Sequence, residues 1–215
     1  MIAKNTVMLI GATGLVGNLT LKKLLEDDFF DEVRVISRRS TGYKHPKLQE
    51  LNIDFEDLQG HLKFLKCEVL ISCLGSTMKK AGNKQTFKRF DYYYPSEVAG
   101  YCRMNGTKKM VLLSAQGADE HSLFYYNQIK GKLENICKEL SFKELDILRP
   151  SLILGHRNEH RTGEHIGKIL AKVLGPILPK QYQAVEAEQL AATLVDCAKT
   201  SSEKEVRIIT KKNFS

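Results

Sequence analysis

Near its start the chain reads TVMLIGATGLVG (residues 6–17), an apolar run followed by three glycines in the spacing GxxGxxG. A helical pattern with leucines at positions 19, 21, 24 and 25 follows directly. Glycines allow a tight turn and a close approach of the backbone to a pyrophosphate, and the N–H groups of the helix start can face its charge. We predict a strand, a dinucleotide-binding turn and a helix, the alternative being an ordinary strand-to-helix turn. The residues expected at the nucleotide are Gly11, Thr13, Gly14, Leu15, Val16 and Gly17.

Short apolar runs alternate with amphipathic stretches along the rest of the 215 residues. This alternation indicates βαβ units and a parallel sheet with helices on both faces. The predicted fold class is therefore α/β, a Rossmann-type doubly wound parallel sheet of about seven strands. We expect residues 1–215 to form a single NAD(P)-binding domain, with small C-terminal loops and helices on the substrate side. The runs interpreted as strands are Thr6–Ile10, Val33–Ser37, Leu51–Phe55, Val69–Leu74, Met110–Ser114, Leu145–Leu148 and Val206–Ile209.

Basic residues outnumber acidic ones, 33 to 25, which gives a formal net charge of +8. They are dispersed in pairs such as Arg38-Arg39 and Lys211-Lys212, with no recognition-helix pattern and no interleaved aromatic residues. We interpret them as a solvated surface with a few groups that face an anionic ligand. Nucleic-acid binding is the less favoured alternative, and it would require strongly salt-dependent affinity.

The five cysteines are scattered along the chain and include no CxxC pair. Disulfide frameworks and metal sites need closer or paired spacing, so we predict reduced thiols and no metal. No apolar run approaches the roughly 20 residues that a membrane-spanning helix needs. The first residues fit a buried strand better than a signal peptide. A cytoplasmic protein without membrane association is therefore expected.

The second predicted strand ends in Ile36-Ser37-Arg38-Arg39. Sites that prefer NAD place an acidic residue near this point to hold the ribose 2′-hydroxyl, and the sequence here has none. Guanidinium groups match the geometry of a phosphate, so Ser37, Arg38 and Arg39 favour NADPH or NADP as the cofactor. The alternative is a pair of surface arginines without a ligand.

Three residues carry the predicted chemistry. Ser114 ends the fifth strand, and Tyr126 and Lys130 share one face of the amphipathic helix that follows. An ammonium group beside a phenol favours the phenolate form, which suits acid–base catalysis. We expect Ser114 to donate a hydrogen bond to a substrate carbonyl oxygen, Tyr126 to protonate that oxygen, and Lys130 also to anchor the cofactor ribose. The alternative is a solvated helix face.

Together, GATGLVG, the arginine pair, LLSAQGAD, YNQIKGKLE and LRPSLILG closely resemble an atypical branch of the short-chain dehydrogenase/reductase family. The resemblance extends from the first strand through Val185–Glu188 and implies a parallel sheet in the order 3-2-1-4-5-6-7 with bound NADPH. It also implies further cofactor contacts beside the adenine, the ribose and the nicotinamide. These contacts are Asp54, Phe55, Cys73, Leu74, Gly75, Pro150, Ser151, Leu152 and Ile153.

Two features depart from typical short-chain dehydrogenases. The NNAG segment after the fourth strand is replaced by CLGS, residues 73–76. The asparagine that completes the usual catalytic tetrad has no clear counterpart, and the corresponding helix carries Asp91 and Tyr92. These departures put a proton relay of the usual type in doubt, and members of the branch include regulators that bind NADPH.

The leading functional prediction is an NADPH-dependent oxidoreductase that reduces a small carbonyl or oxidises an alcohol. The alternative is a non-catalytic NADPH sensor or scaffold with a regulatory protein partner, and a homodimer is compatible with either. Basic residues in two loops raise a further hypothesis, the attraction of an acidic substrate, against the alternative of solvated loops. These residues are Lys79, Lys80, Lys84, Lys88, Arg89, Arg157 and Arg161.

Overall fold

A computed structural model describes residues 5–155 and 183–214 of the chain. Seven strands in the described residues form one parallel sheet in the order β3-β2-β1-β4-β5-β6-β9, and β7 pairs with β8 in a separate two-stranded sheet. The predicted α/β class and the strand order are both confirmed. The strands are β1 (Thr6–Ile10), β2 (Glu32–Ser37), β3 (Leu48–Asn52), β4 (Val69–Ser72), β5 (Lys109–Leu113), β6 (Glu144–Leu148), β7 (Ile153–Leu154), β8 (Val185–Glu186) and β9 (Val206–Ile209).

Helices cover both faces of the sheet. One apolar cluster packs between the sheet and helices α1 and α6, and a second lies on the other face, towards α4, α5 and a 3₁₀-helical segment. The helices are α1 (Leu15–Glu26), α2 (Met78–Ala81), α3 (Lys84–Lys88), α4 (Tyr94–Met104), α5 (Tyr125–Glu139) and α6 (Ala187–Lys199). A π-helical turn, Arg89–Tyr93, joins α3 to α4, and 3₁₀ segments span Phe55–Leu65 and Lys211–Asn213.

The third strand lies earlier in the chain than predicted. It spans Leu48–Asn52 rather than Leu51–Phe55, because a 3₁₀ segment begins at Phe55. The side chain of Asp54 caps that segment by accepting a hydrogen bond from the Glu56 N–H at 3.3 Å. The local capping bond therefore ends the extended backbone that the apolar pattern alone had suggested.

Parallel pairing brings the carboxyl ends of the central strands to one edge of the sheet. The register aligns Ile10 of β1 with Ile36 of β2 and with Ser72 of β4. Ligands of open α/β sheets bind at this edge, where the strand order reverses. Among residues 5–155 and 183–214, no helix is long and apolar enough to span a membrane.

Candidate active site

The glycine turn after β1 packs tightly against neighbouring backbone. Gly11 has a φ of +84°, and a Cβ at this position would lie 2.4 Å from the carbonyl carbon of Cys73. A Cβ on Gly17 would lie 2.1 Å from the carbonyl oxygen of Gly11. Only glycine fits at these two positions, so the turn stays close to both β4 and the first turn of α1.

The start of α1 offers free backbone donors to an anion. Gly14 is the N-cap, no side chain caps this end, and the first turn contains no acidic residue. The first N–H groups of a helix have no partner within the helix, and the helix dipole favours negative charge near them. Thr13 and Gly14 are exposed, so a pyrophosphate can reach this end. The predicted dinucleotide turn therefore fits such a group.

The turn after β2 presents two arginines and buries the serine. Arg38 and Arg39 are exposed, and the Arg38 guanidinium carbon lies 4.3 Å from the centroid of the Phe90 ring. Ser37 is buried, and its hydroxyl donates to the carbonyl oxygen of Arg39 at 2.7 Å. Its side chain therefore holds the turn in place, which leaves the arginines as the groups able to meet a phosphate.

An acidic residue does lie at this turn, although none occurs at the end of β2 in the sequence. Glu50 of β3 pairs with Val35 across the sheet, and its Oε1 accepts the N–H of Thr41 at 2.7 Å. Its Oε2 accepts the Thr41 hydroxyl at 3.0 Å. Sequence spacing missed Glu50 because it comes from the neighbouring strand. These bonds commit its carboxylate to the turn rather than to a ribose hydroxyl.

The two residues expected beside the adenine have structural partners. Asp54 caps the 3₁₀ segment, as described above, while its side chain remains exposed. Phe55 is buried, and its ring stacks on that of Tyr94 with centroids 5.1 Å apart. The expectation of an apolar side chain against the adenine therefore needs correction at Phe55, because the ring lies in the core and only its backbone could face a ligand.

The segment after β4 borders the glycine turn. The Cys73 N–H donates to the carbonyl oxygen of Ile10 at 2.9 Å. Burial raises the pKa of the Cys73 thiol to about 12, so this cysteine remains protonated and is a poor nucleophile at neutral pH. Leu74 is partly buried against the second apolar cluster, and Gly75 is exposed. The backbone of this segment therefore lines the candidate site.

The segment after β6 lies between β5 and the small sheet. Pro150 is buried, Leu152 is 47% exposed, and the Leu152 carbonyl accepts the N–H of Val185 at 2.8 Å. The Ser151 hydroxyl donates to the carbonyl oxygen of Gln183. The exposed Leu152 is thus the side chain of this segment most accessible to a ligand.

Lys130 and Asp91 form a buried ion pair at the centre of the site. The Lys130 Nζ lies 2.9 Å from Asp91 Oδ1, and both side chains are almost completely inaccessible to solvent. The other carboxylate oxygen of Asp91 accepts the N–H of Ser76 at 2.7 Å. Asp91 lies in the π-helical turn, a kind of irregularity that often marks functional sites.

The charges around Lys130 keep it protonated. Burial lowers the pKa of Lys130, but Asp91, Tyr126 and Glu134 raise it by more, so the pKa lies above its usual value. Burial also raises the pKa of Asp91 above its usual value, against the attraction of Lys130. At neutral pH the site therefore holds an ammonium whose position is set by Asp91.

Tyr126 lies one helical turn before Lys130 and is 36% exposed. Its ring centroid is 5.8 Å from that of the buried Phe87 on α3, and its phenol is among the groups that act on the charge of Lys130. The structure thus brings Tyr126 and Lys130 together on one face of α5, with the phenol accessible and the ammonium buried.

Ser114 has a different environment from the one expected. It is buried, and its hydroxyl donates to Glu134 Oε1 at 2.5 Å. Glu134 is itself buried and also accepts two hydrogen bonds from Arg149, at 2.9 Å and 2.5 Å. Glu134 follows Tyr126 by eight residues, about 12 Å along the helix axis. In this structure the Ser114 proton is thus bonded to an internal carboxylate, and the expected donation to a substrate stays a prediction.

Sequence reasoning missed the roles of Asp91, Glu134 and Arg149. Glu134 follows Lys130 by four residues, so a helical projection places both on the Tyr126 face. A carboxylate on an otherwise buried stripe needs a cationic partner, and that signal could have pointed to Glu134. Asp91 gave no comparable signal, because its partner lies 39 residues away on another helix.

The basic residues before α4 lie on α2, on α3 and in the π-helical turn rather than in the expected loop, and two of them stack on aromatic rings. The Lys88 Nζ lies 4.8 Å from the ring centroid of Tyr93, and the Lys84 Nζ lies 5.1 Å from that of Tyr125. Arg89 pairs with Glu56 at 3.1 Å. Arg157 and Arg161 lie outside the described residues. No cluster of three or more metal-ligating side chains occurs in residues 5–155 and 183–214.

Comparison with known proteins places the chain in a family. A family model described as HIM1 matches residues 29–183. Protein HTATIP2 of Rattus norvegicus is 35% identical over 167 residues, which cover 76% of this chain and 69% of the relative. A protein of Emericella nidulans named fmp52, mitochondrial, is 34% identical over 178 residues, which cover 80% of this chain and 76% of the relative.

Solved structures share the fold at low sequence identity. MoeE5 in complex with UDP-glucuronic acid and NAD has a TM-score of 0.73 at 15% identity, covering 95% of this chain and 76% of that one. WbmH of Bordetella bronchiseptica in complex with NAD⁺ has a TM-score of 0.73 at 16% identity, covering 98% and 77% of the two chains. These similarities confirm the Rossmann-type architecture.

The cytoplasmic location expected from the sequence is wrong. The relatives from Emericella nidulans, Candida albicans, Aspergillus fumigatus and Candida glabrata are all named as mitochondrial proteins. The expectation rested on unpaired cysteines and on first residues that fit a buried strand. Neither observation distinguishes one reducing compartment from another.

Proposed function

This chain belongs to the HIM1 family and to the HTATIP2 branch of atypical short-chain dehydrogenases/reductases, and on that premise we propose that it is an NADP(H)-dependent oxidoreductase acting on a small carbonyl or alcohol. The observation that carries the proposal is the pairing of an accessible phenol, Tyr126, with a buried ammonium, Lys130, one helical turn apart. Open α/β sheets bind their ligands at this edge. An acid–base pair placed there can exchange a proton with a bound substrate.

A nicotinamide dinucleotide fits the residues present at that edge. The close-packed glycines at positions 11 and 17 and the uncapped start of α1 form a cradle for its pyrophosphate. The backbone after β4 and the segment from Pro150 to Leu152 would line its ribose and nicotinamide. When bound, the reduced cofactor supplies a hydride. The structural relatives MoeE5 and WbmH carry NAD in the complexes compared above, which supports the cofactor class.

Tyr126 would transfer a proton to or from the reacting oxygen of the substrate. Lys130, held by Asp91, would bind the cofactor ribose through its remaining N–H donors. Lys130 stays protonated at neutral pH, so it presents a positive charge one helical turn from the phenol. Ser114 has no place in this scheme, since its hydroxyl serves the buried Glu134.

The turn after β2 favours NADPH over NADH. Arg38 and Arg39 are exposed at the position where a 2′-phosphate would lie, and guanidinium binds phosphate in a bidentate manner. The one carboxylate nearby, that of Glu50, is occupied by Thr41.

The test follows NADPH absorbance while the protein meets a panel of aldehydes, ketones and quinones. We expect turnover by the native protein and its loss in Tyr126→Phe, which keeps the ring but removes the proton donor. Tyr101→Phe on α4 is the matched control and should turn over normally. Turnover that survives in Tyr126→Phe would contradict the assignment of the acid.

Cofactor preference has its own test. Fluorescence titration should show tighter binding of NADPH than of NADH, and Arg38→Ala with Arg39→Ala should remove the difference. Lys66→Ala, which removes a positive charge elsewhere on the surface, is the control. Equal binding of the two nucleotides by the native protein would contradict the NADPH assignment.

A second candidate function is a non-catalytic NADPH-binding sensor or scaffold. The observation that favours it is the internal bond of Ser114, which withdraws the donor that the expected catalytic set requires. In that case NADPH would bind, no substrate of the panel would be reduced, and NADPH would change the affinity for a protein partner or for a second copy of the chain. Such a result would replace the oxidoreductase proposal.

A further inference from the structure

The loop after β5 crosses between the end of β6 and the first turn of α5. The Gln116 N–H donates to the carbonyl oxygen of Pro150 at 2.7 Å. Next to it, Gly117 has a φ of +78°, and a Cβ there would lie 2.8 Å from the amide nitrogen of Asn127. Asn127 follows Tyr126 directly. Gln116 therefore lies between the segment expected at the nicotinamide and the turn of α5 that carries the phenol.

The side chain of Gln116 has an unused polar atom. Its Oε1 is buried and has no hydrogen-bond partner in the structure. A buried polar group without a partner costs free energy, so nearly all such atoms are bonded to protein, to ordered water or to a ligand. The two ends of a carboxamide exchange places by rotation about one bond, so the same position can present an N–H donor or a carbonyl acceptor.

The two residues before Gln116 supply no free side-chain donor. The Ser114 hydroxyl is bonded to Glu134, and Ala115, which is buried, has no polar side-chain atom. Reduction of a carbonyl develops negative charge on its oxygen, and a donor aimed at that oxygen stabilises the transition state. Among positions 114–116, Gln116 is the residue whose side chain has a buried polar atom without a hydrogen-bond partner.

We propose that the Gln116 carboxamide binds the reacting oxygen of the substrate, in the role that the sequence had suggested for Ser114. The inference rests on the proposed oxidoreductase function and deepens it. The amide N–H₂ donates to a carbonyl oxygen in the direction of reduction, and the amide oxygen accepts from a hydroxyl in the direction of oxidation. The site therefore takes uncharged carbonyl and alcohol oxygens, held between Gln116 and Tyr126.

Gln116→Met tests the role, because methionine keeps the length of the side chain and removes its donor and acceptor. With the carbonyl substrate found in the panel, we expect kcat/KM to fall about 100-fold, as on loss of one oxyanion donor, and NADPH affinity to stay unchanged. Gln59→Met, on the exposed 3₁₀ segment, is the matched control. Ser114→Ala is measured beside them, since loss of turnover in that variant with normal turnover in Gln116→Met would overturn the proposal.

A binding readout separates this proposal from the proposed function. The side-chain ¹⁵N–¹H₂ signals of Gln116, identified by their absence from Gln116→Met, are followed while benzaldehyde is added to the protein with bound NADP⁺. A shift of these signals supports the assignment even if no carbonyl is turned over, in which case the oxidoreductase proposal alone fails. The Gln116 proposal would be overturned if these signals did not shift at saturating benzaldehyde. It would also be overturned if Gln116→Met had a normal kcat/KM.

Discussion

Lys130 Nζ lies 2.9 Å from Asp91 Oδ1, in a pair that solvent hardly reaches. One residue belongs to α5 and the other to the π-helical turn before α4, so the bond joins two separate elements behind the candidate site. A buried ion pair contributes little net stability when intact, but removal of one partner leaves an uncompensated charge. We therefore interpret the ion pair as the contact that fixes the position of the Lys130 ammonium beside Tyr126.

Asp91→Asn should destabilise the protein by about 3 kcal/mol, because the buried ammonium loses its counter-charge. Urea denaturation at pH 7 measures the loss. The raised pKa of Lys130 means that the pair contributes stability below the ordinary lysine value of 10.5 and loses it as the pH rises through the folded value. The deficit of Asp91→Asn should therefore shrink at alkaline pH, where Lys130 loses its proton, and at acid pH, where Asp91 itself becomes protonated.

The double variant Asp91→Asn with Lys130→Met serves as the control for that prediction. Removal of both charges should recover much of the stability lost in the single variant, since no unpaired ion remains. If the two substitutions were simply additive, the ion pair would not explain the deficit.

Gly75→Ala should disturb the same pair without changing its chemistry. A Cβ at Gly75 would lie 3.0 Å from Asp91 Oδ1 and 3.2 Å from Lys130 Nζ, which is closer than comfortable packing allows. We expect a loss of about 1–3 kcal/mol in the free energy of unfolding, together with weaker NADPH binding. Thermal denaturation and fluorescence titration provide the two measurements.

Gly100→Ala on α4 is the matched substitution. A Cβ at Gly100 would meet nothing within 4 Å, and alanine is favoured over glycine within a helix by about 1 kcal/mol. This variant should therefore be more stable than the native protein. If Gly75→Ala were also more stable than the native protein, an alanine at that position would not crowd the ion pair.

Lys199 and Asp27 connect the end of α6 to the end of α1, with Nζ and Oδ2 2.7 Å apart. Burial raises the pKa of Asp27, but hydrogen bonds from Lys199 and the Phe29 N–H lower it by more, to below the usual 3.8. The hydrogen bond to Asp27 raises the pKa of Lys199 above the usual 10.5. The pair thus contributes stability between these two usual values. It loses that contribution as the pH falls through the lowered value of Asp27 or rises through the raised value of Lys199.

Lys199→Met keeps the apolar stem and removes the charge. Because the pair is partly exposed, we expect a loss of at most about 1 kcal/mol near neutral pH, which disappears at acid pH where Asp27 is protonated. Denaturant titrations across the pH range provide the test, with the exposed Lys204→Met as control. A deficit that does not change with pH would show that packing, not charge, joins the two helices.

The sequence by itself determined the features that depend on neighbours along the chain. The glycine spacing predicted the turn between β1 and α1, and the four-residue interval between Tyr126 and Lys130 placed both on one helical face. Alternating apolar runs predicted the parallel sheet, and the resemblance to short-chain dehydrogenases, which rests on the motifs, implied its strand order. The contacts of the glycine turn and of the Tyr126–Lys130 helix face form within one strand–turn–helix unit or one helix, so local periodicity contains the information.

Only the tertiary structure decided which distant side chains meet. Asp91 reaches Lys130 from another helix, Glu50 reaches the turn after β2 from the next strand, and the Ser114 hydroxyl bonds to Glu134 of α5. A serine at a strand end has the same local signature whether its hydroxyl faces inward or outward. The choice depends on where α5 packs against β5, because burial of Glu134 demands hydrogen-bond donors, and those donors come from whichever elements the fold brings beside it.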